Sequence, residues 1–386
     1  MKTAIIHEWL ATFVGSEKVF EQIAGLYPDA DLYCLFDFFS EEDRHFLRNR
    51  RVRTSFIQHL PFAKTKYRSY MPLMPFAVER FDLSGYELII SSSHAVAKGI
   101  RKNPDQLHIC YCHTPMRYAW DLREQYLKES GLDRGIKGLL ARAALDRLKK
   151  WDIKASKRVD YFIANSHYIR DRIKRAYGRD ADVIYPPVDV ESFELCAKKE
   201  DFFLAVSRMV PYKKVDLIVE AFSESGLPLV VIGDGPDFEK VKSRAKKNVG
   251  FLGYQEANVL VDYMQKARAF IFAAEEDFGI LPVEAQACGT PVIAYGKGGV
   301  TETVIPVNQG LGGRGQGLEI KNPTGVFFYE QTPAALIDAV KRFEAVEDKF
   351  NPYETRKNAE RFGIERFQRE FTDFVSRKIA EFSPPS

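Results

Sequence analysis

The 386-residue sequence contains no apolar run of the roughly 18 residues that a bilayer span requires. Its first stretch, MKTAIIHEWLATF, holds no signal-peptide core, because His7 and Glu8 interrupt the apolar residues. Cysteine is scarce. Five residues, unevenly scattered, exclude a disulfide scaffold and predict reduced thiols in a cytosolic protein. A surplus of one charge is missing as well: 56 basic and 53 acidic residues leave a formal net charge of +3, which argues against a dedicated nucleic-acid binder. There is no GxxxxGKS or GxxxxGKT loop and no HExxH. Gly233-Asp234-Gly235 runs on into Pro236, Asp237 and Phe238, so the third glycine of a GxGxxG turn is absent. ATP hydrolysis and dinucleotide redox chemistry thereby lose their main support. What remains is ordinary globular composition, 45% hydrophobic and 13% aromatic. That is ample for cores in two or three domains of roughly 150 residues each.

Short apolar runs alternate with helical patterns. Ala4-Ile5-Ile6 precedes a loop with Gly15, after which Val19, Phe20, Ile23, Ala24 and Tyr27 recur at helical spacing. Similar runs occupy Glu87–Ser91, Leu107–Cys112, Tyr161–Ala164 and Asp182–Tyr185, with a helical stretch over Gly135–Arg158. Pro186-Pro187 breaks the pattern. Beyond the charged segment Lys198–Asp201 it restarts at Phe202–Val206, Pro228–Ile232, Ala269–Ala273 and Pro291–Ala294. Strands alternating with helices predict parallel sheets covered on both faces. We place a boundary between residues 186 and 200. This gives an N-terminal domain of residues 1–195, a C-terminal domain of residues 196–362, and a C-terminal helix in 363–386 that crosses back to the first domain; apolar spacing at Phe362, Phe367, Phe371 and Phe374 reads as one or two closing helices over Asn351–Phe382. The fold class is α/β, with two Rossmann-like, doubly wound domains facing each other across a cleft and ligands at the carboxyl ends of the strands. Gly310–Gly317 reads as a mobile loop rather than a phosphate cradle.

Two segments carry chemistry. In Ala274–Thr290, seven residues separate Glu276 from Glu284, and Phe278-Gly279-Ile280-Leu281 lies between them. Pro282 at a first helical position and Gly289 past the end frame a short helix, which puts Glu284 in the first turn. Gly279 lets backbone approach a ligand, and free N–H groups at the helix start suit a phosphate. One carboxylate before an anion cradle and one just inside it match a nucleotide sugar, with hydroxyl groups on both sides of a diphosphate. In Ser207–Phe222, Arg208 and either Lys213 or Lys214 follow a strand end and precede a helix, where cations would neutralise that diphosphate. His108, Cys110 and Cys112 share one strand face, a poor zinc spacing that reads as packing, whereas His113 ends the strand at its carboxyl edge. Asp29-Ala30-Asp31 and Asp180-Ala181-Asp182 follow no clear strand. With Arg208 and Lys213 available, no metal and no cofactor is expected.

On these residues the chain resembles family 4 of the retaining glycosyltransferases, which have the GT-B fold. The resemblance spans nearly the whole chain and centres on the Glu-x7-Glu motif, Glu276 to Glu284, with Phe278-Gly279 inside it and Glu284-Ala285-Gln286-Ala287-Cys288-Gly289-Thr290-Pro291-Val292 following. It implies that Glu284 holds ribose hydroxyls, that Glu276 holds sugar hydroxyls near the reacting carbon, and that Arg208 and Lys213 bind the diphosphate. Phe278, Gly279, Ile280 and Leu281 would line the donor. Gly235, in Gly233-Asp234-Gly235-Pro236, and Leu252, in Phe251-Leu252-Gly253, resemble two nucleotide-side loops. His113 matches a histidine beside the donor sugar. Gly15 matches the first of two phosphate-side glycines, and Ser16 replaces the second. HEWL, CYCHTPMRYAWD and AEEDFGI are similar to bacterial mannosyltransferases that build O-antigen and exopolysaccharide. This implies GDP-mannose as donor and a lipid-linked or oligosaccharide acceptor. The alternatives are a UDP- or dTDP-linked donor, a soluble sugar-phosphate acceptor, or a non-catalytic scaffold.

Residues 48–74 contain no acidic side chain. Arg48, Arg50, Arg51, Arg53, Lys64, Lys66 and Arg68 interleave with Phe56, Ile57, Leu60, Phe62, Tyr67 and Tyr70. The pattern predicts peripheral contact with anionic lipid at the inner face of the plasma membrane. The competing expectation is that these apolar groups pack on the sheet and leave the charges in water.

Overall fold

The computed structural model describes residues 1–47, 50–120, 123, 127–128, 131, 134–307 and 322–382. Arg48 and Gly310–Gly317 lie outside them. The chain forms two compact units, Met1–Pro187 joined by the segment from Phe367 on, and Val188–Arg366.

The first unit is built on a parallel sheet of β1 (Thr3–His7), β2 (Asp31–Cys34), β3 (Val52–Thr54), β4 (Leu88–Ser93), β5 (Leu107–Cys112), β6 (Tyr161–Ala164) and β7 (Ala181–Val183), in the order β3-β2-β1-β4-β5-β6-β7. Every residue of β1, β4 and β5 is buried, as a sheet covered on both faces requires. Alternate side chains serve opposite cores. Ile5 packs with Val19, Phe20 and Ile23 of the helix Gly15–Leu26, while Ala4 and Ile6 pack with Ile89, Met74 and Leu148 on the other side. The final helix, Ile364–Glu381, places Phe367, Phe371, Phe374 and Val375 in the first of these cores. Their helical spacing puts all four on one stripe. β3 escapes a pattern search because it is an edge strand with a single buried residue, Val52.

The second unit repeats the plan with β8 (Phe203–Val206), β9 (Leu229–Ile232), β10 (Val249–Gly253), β11 (Ala269–Phe272), β12 (Val292–Tyr295) and β13 (Gly325–Phe328), in the order β10-β9-β8-β11-β12-β13. Phe251-Leu252-Gly253, expected as a loop, instead finishes β10. This is an edge strand whose residues beyond Val249 are only partly covered, so it lacks the continuous apolar run of a central strand. In each sheet the strand order reverses once, between β1 and β4 and between β8 and β11. Crossovers leave in opposite directions there, opening a crevice at the carboxyl ends.

Candidate active site

At the carboxyl ends of β8, β9 and β10 the second unit holds a cavity of about 480 Å³. Ser207 and Arg208 follow β8, Gly233, Asp234 and Gly235 follow β9, and Tyr254 and Gln255 follow β10; Leu281 closes the wall from the helix Ile280–Ala287. The loops are laced together by backbone bonds, Met209 N–H to Asp234 O at 2.9 Å and Asp237 N–H to Met209 O at 3.2 Å. Gly235 is required by that lacing, since a Cβ there would lie 2.5 Å from the Met209 carbonyl oxygen. Arg208 is exposed at the rim. Leu252 does not line the cavity. Its carbonyl accepts from Gln255 Nε2 at 2.6 Å and so anchors a residue that does.

Beyond β11, the loop Glu275–Gly279 brings Glu276 into an ion pair with Lys213, both side chains half-buried. Of the two lysines considered, Lys213 is therefore the one delivered to the carboxylate. Lys214 takes a left-handed backbone (φ 58°) and caps the helix Val215–Ser225. Glu275 pairs instead with Lys297 at 3.1 Å. The Glu276 loop rests on Gly298-Gly299. Gly299 N–H donates to Glu276 O at 2.8 Å, Gly298 has φ 87°, and a Cβ on either glycine would strike the backbone of Glu276–Phe278. Sequence inspection missed these two glycines, whose signal is the bare pair itself.

The next helix starts two residues earlier than Pro282 suggested. Gly279 caps it in a left-handed conformation (φ 85°), Ile280 is its first residue and Pro282 its third. Proline is tolerated there because the first turn's N–H groups have no helical acceptor. Glu284 consequently sits in the second turn, not the first, and the helix dipole acts on it less. It is 5% exposed. Phe278 turns inward, its ring 5.5 Å from that of Phe362, so only its backbone can meet a ligand.

His113, Gly15 and Ser16 belong to the first unit. Gly15 and Ser16 open the helix that follows β1, and Ser16 Oγ donates to Glu17 Oε2 at 2.9 Å. His113, just past β5, bonds Ser92 Oγ through Nε2 at 2.9 Å. Burial, with His94 and His7 nearby, pushes its pKa well below the ordinary histidine value, so the ring is neutral. Glu8, immediately past β1, is fully buried. It accepts the Ser93 hydroxyl and the backbone N–H groups of His94, Ala95, Val96 and Ala97, at 2.7–3.0 Å. His108 is buried on Ser91 Oγ at 2.8 Å, with its pKa pushed down to about 3 chiefly by burial. Cys110 and Cys112 pack with Phe162 and Ile169. Among the described residues no cluster of three or more His, Cys, Asp or Glu side chains could hold a metal.

Two family models match the chain, Glycosyltransferase Family 4 over residues 29–192 and Glycosyl transferases group 1 over residues 189–366. The chain belongs to glycosyltransferase family 4. This family 4 glycosyltransferase is 31% identical over 150 residues to the O-antigen chain mannosyltransferase RfbU of Salmonella typhimurium, covering 36% of the chain and 42% of RfbU. It is 30% identical over 180 residues to a GDP-mannose-dependent monoacylated alpha-(1-6)-phosphatidylinositol monomannoside mannosyltransferase of Corynebacterium glutamicum, covering 38% of the chain and 47% of that relative. The chain thus spans less than half the length of either relative. HepE from Anabaena, solved in complex with UDP, superposes with a TM-score of 0.66 at 16% identity over 98% of this chain and 100% of HepE. The likeness shows the GT-B fold that the glycosyltransferase uses.

The basic segment of the first unit divides. Ile57 and Met71 are buried and Leu60, Tyr67 and Tyr70 lean on the core, whereas Phe62 is 74% exposed and Phe56 and Leu73 less so. Arg50 is spent on the Tyr27 carbonyl and Arg53 on Asp31. A second apolar stripe was not anticipated: Ile136, Leu139 and Leu140, all more than half exposed, open the helix Gly135–Ser156 beside Lys137 and Arg142. No helix among the described residues is long and apolar enough to cross a membrane.

Proposed function

We propose that the chain transfers mannose from GDP-mannose, with retention at the anomeric carbon, to a lipid-linked or oligosaccharide acceptor in cell-surface glycan synthesis. The observation that carries this is the Lys213–Glu276 pair, formed by the loops after β8 and β11 next to the Arg208-lined cavity. A diphosphate arriving there competes for Lys213 as a point charge and for Arg208 as a fork. Drawing Lys213 away frees Glu276 for hydroxyls of the sugar. As the glycosidic bond breaks, negative charge grows on the departing nucleotide and positive charge on an oxocarbenium-like carbon. Once the bound diphosphate has drawn Lys213 from Glu276, the two cations stand where the first develops, which lowers the barrier. Tyr254 offers an exposed ring to the base and Glu284 a carboxylate to the ribose. His113 contributes a neutral imidazole to sugar recognition. No divalent ion takes part.

Mannose and its guanine nucleotide are favoured by the relatives RfbU and the corynebacterial enzyme. A UDP-sugar is the second reading, favoured by the UDP in HepE. Thermal denaturation with each nucleotide decides between them. At a concentration of 100 times Kd a bound nucleotide adds about 2.7 kcal/mol, or roughly 5–10 °C in a unit of this size. GDP is expected to give that shift and UDP under about a third of it. The reverse order would transfer the assignment to a UDP-sugar.

An acceptor held in a bilayer requires the enzyme to reach that surface. Phe62 and the stripe Ile136, Leu139 and Leu140, set among cations, supply apolar groups for insertion. Phe62→Asp combined with Leu139→Asp is expected to reduce co-sedimentation with phosphatidylglycerol vesicles at least about tenfold, since each substitution removes an exposed ring or branched chain available for insertion and adds a repelled charge. Undiminished co-sedimentation would assign the membrane contact elsewhere.

A further inference from the structure

β1, β4 and β5 are neighbours in the first sheet, and at their carboxyl ends two imidazoles and a hydroxyl meet a carboxylate from the helix Gly15–Leu26 in one buried line. Glu17 Oε1 lies 3.3 Å from His7 Nε2, His7 Nδ1 lies 3.1 Å from Ser92 Oγ, and Ser92 Oγ lies 2.9 Å from His113 Nε2. Glu17, His7 and Ser92 are buried. His113 is buried too, though at 9% exposure the least so of the four, and no hydrogen bond occupies its Nδ1 among the described residues.

Donor and acceptor counting gives this line a direction. Glu17 Oε2 accepts the Val14 N–H at 3.2 Å and the Ser16 hydroxyl at 2.9 Å. Burial by itself would raise the Glu17 pKa, but the His7 bond and its neighbours outweigh it and hold the group below the ordinary carboxylate value. An ionised carboxylate only accepts, so His7 Nε2 carries a proton. A neutral His7 then has only a lone pair at Nδ1, which takes the single proton of the Ser92 hydroxyl. With that proton committed, Ser92 Oγ can only accept from His113, whose proton must reside on Nε2. A neutral imidazole has one N–H and one lone pair, so Nδ1 of His113 is left bare. A cationic His7 would reverse every bond after Glu17 and put the proton on His113 Nδ1. The ionisable groups facing His7 are Glu17 from the first helix, His94 from the turn after β4, and His113.

We propose that Glu17, His7 and Ser92 are positioning residues that hold His113 in the Nε2–H tautomer, so that its Nδ1 presents a lone pair to a hydroxyl of the bound sugar. The proposal rests on the assignment of His113 to sugar recognition. It adds a requirement to it: the sugar position met by His113 must carry a free hydroxyl, because a bare nitrogen can bind only a donor. The same residues explain why a neutral histidine need not be an indifferent one. Its tautomer is set two side chains away.

The test uses the full chain labelled with ¹⁵N in its histidine rings. Long-range ¹H–¹⁵N correlation spectra distinguish protonated from bare ring nitrogens, and His113→Gln identifies the relevant signals. Near about pH 8, where an ordinary imidazole is neutral, the wild type is expected to show His113 with Nε2 protonated and Nδ1 bare. Ser92→Ala, which cuts the line, is expected to give a mixture of tautomers. It should also lower kcat about tenfold with less than about a twofold change in donor KM, as for loss of one oriented hydrogen bond. A wild-type signal from protonated Nδ1, or a tautomer indifferent to Ser92→Ala, would overturn the relay. If the spectra report the relay but His113→Gln keeps full kcat, the sugar-facing role of Nδ1 falls while the tautomer control stands.

Discussion

Replacing Arg208 or Lys213 with alanine is expected to lower kcat by roughly 100-fold or more in each case, with the melting temperature almost unchanged for Arg208. Arg208 is exposed, so its side chain contributes little to folding. Its charge matters only when an anion enters the cavity. Lys213 differs because it is already half-buried against Glu276. Its removal leaves that carboxylate without its cation, so Lys213→Ala combines a lost diphosphate contact with an uncompensated charge where the phosphates must sit. Glu276→Gln restores neutrality but not the cation. The double variant should therefore recover donor binding more than turnover, which the ratio of KM to kcat reports. Arg208→Lys keeps the charge and loses the fork, and its kcat should fall between wild type and Arg208→Ala. Nucleotide release measured with donor and acceptor present checks all four variants. Full turnover in both alanine variants would leave the diphosphate assignment without support, and a catalytically silent scaffold would then be the better account.

Glu8→Ala is expected to be the most destabilising single change, by about 3–5 kcal/mol. Four consecutive backbone N–H groups and the Ser93 hydroxyl converge on this one buried carboxylate. Alanine would strand all of them without water. Burial opposes the charge, yet the pKa lies below the ordinary carboxylate value because His94 and the N–H groups of Ala97, Val96 and Ala95 outweigh it. His94 is itself pushed down by burial. The sign follows. A carboxylate with a depressed folded-state pKa adds stability above its unfolded value, near about 4.3, and loses it as pH falls through the lower folded value. Urea denaturation of wild type and Glu8→Ala should thus show the full gap at neutral pH and a narrowing gap below about pH 4. A gap that stays constant with pH would mean that packing, not the charge, holds the loop.

Much of this architecture can be read from residues alone, for a definite reason. β1, β4, β5, β8, β11 and β12 are central strands covered on both faces, and their apolar runs are continuous. β3 and β10 are edges, the first only three residues long and the second partly covered beyond Val249, so they leave no such trace. In the site, Arg208, Lys213 and Glu276 are legible because glycine and proline punctuate strand ends where ligands bind. Gly298-Gly299 is not, because what forbids a side chain there is the backbone of Glu276–Phe278, distant in sequence. The line from Glu17 to His113 is invisible for the same reason, as its central bond joins His7 to Ser92 across 85 positions. The misplacement of Pro282 has a local cause. Proline fits any position of a helix's first turn, so it marks a beginning without dating it to the residue.

The return of Phe367, Phe371 and Phe374 to the first core bears on how the molecule is made. During synthesis the first sheet emerges from the ribosome with one stripe of its covering layer still untranslated, and all of Val188–Arg366 must be produced before that layer is complete. Until then Ile5, Ile90, Ile109 and Tyr111 share a core that lacks its last helix. The second unit, contiguous in the chain, can close as soon as it emerges, so the half that begins first is the half that finishes last.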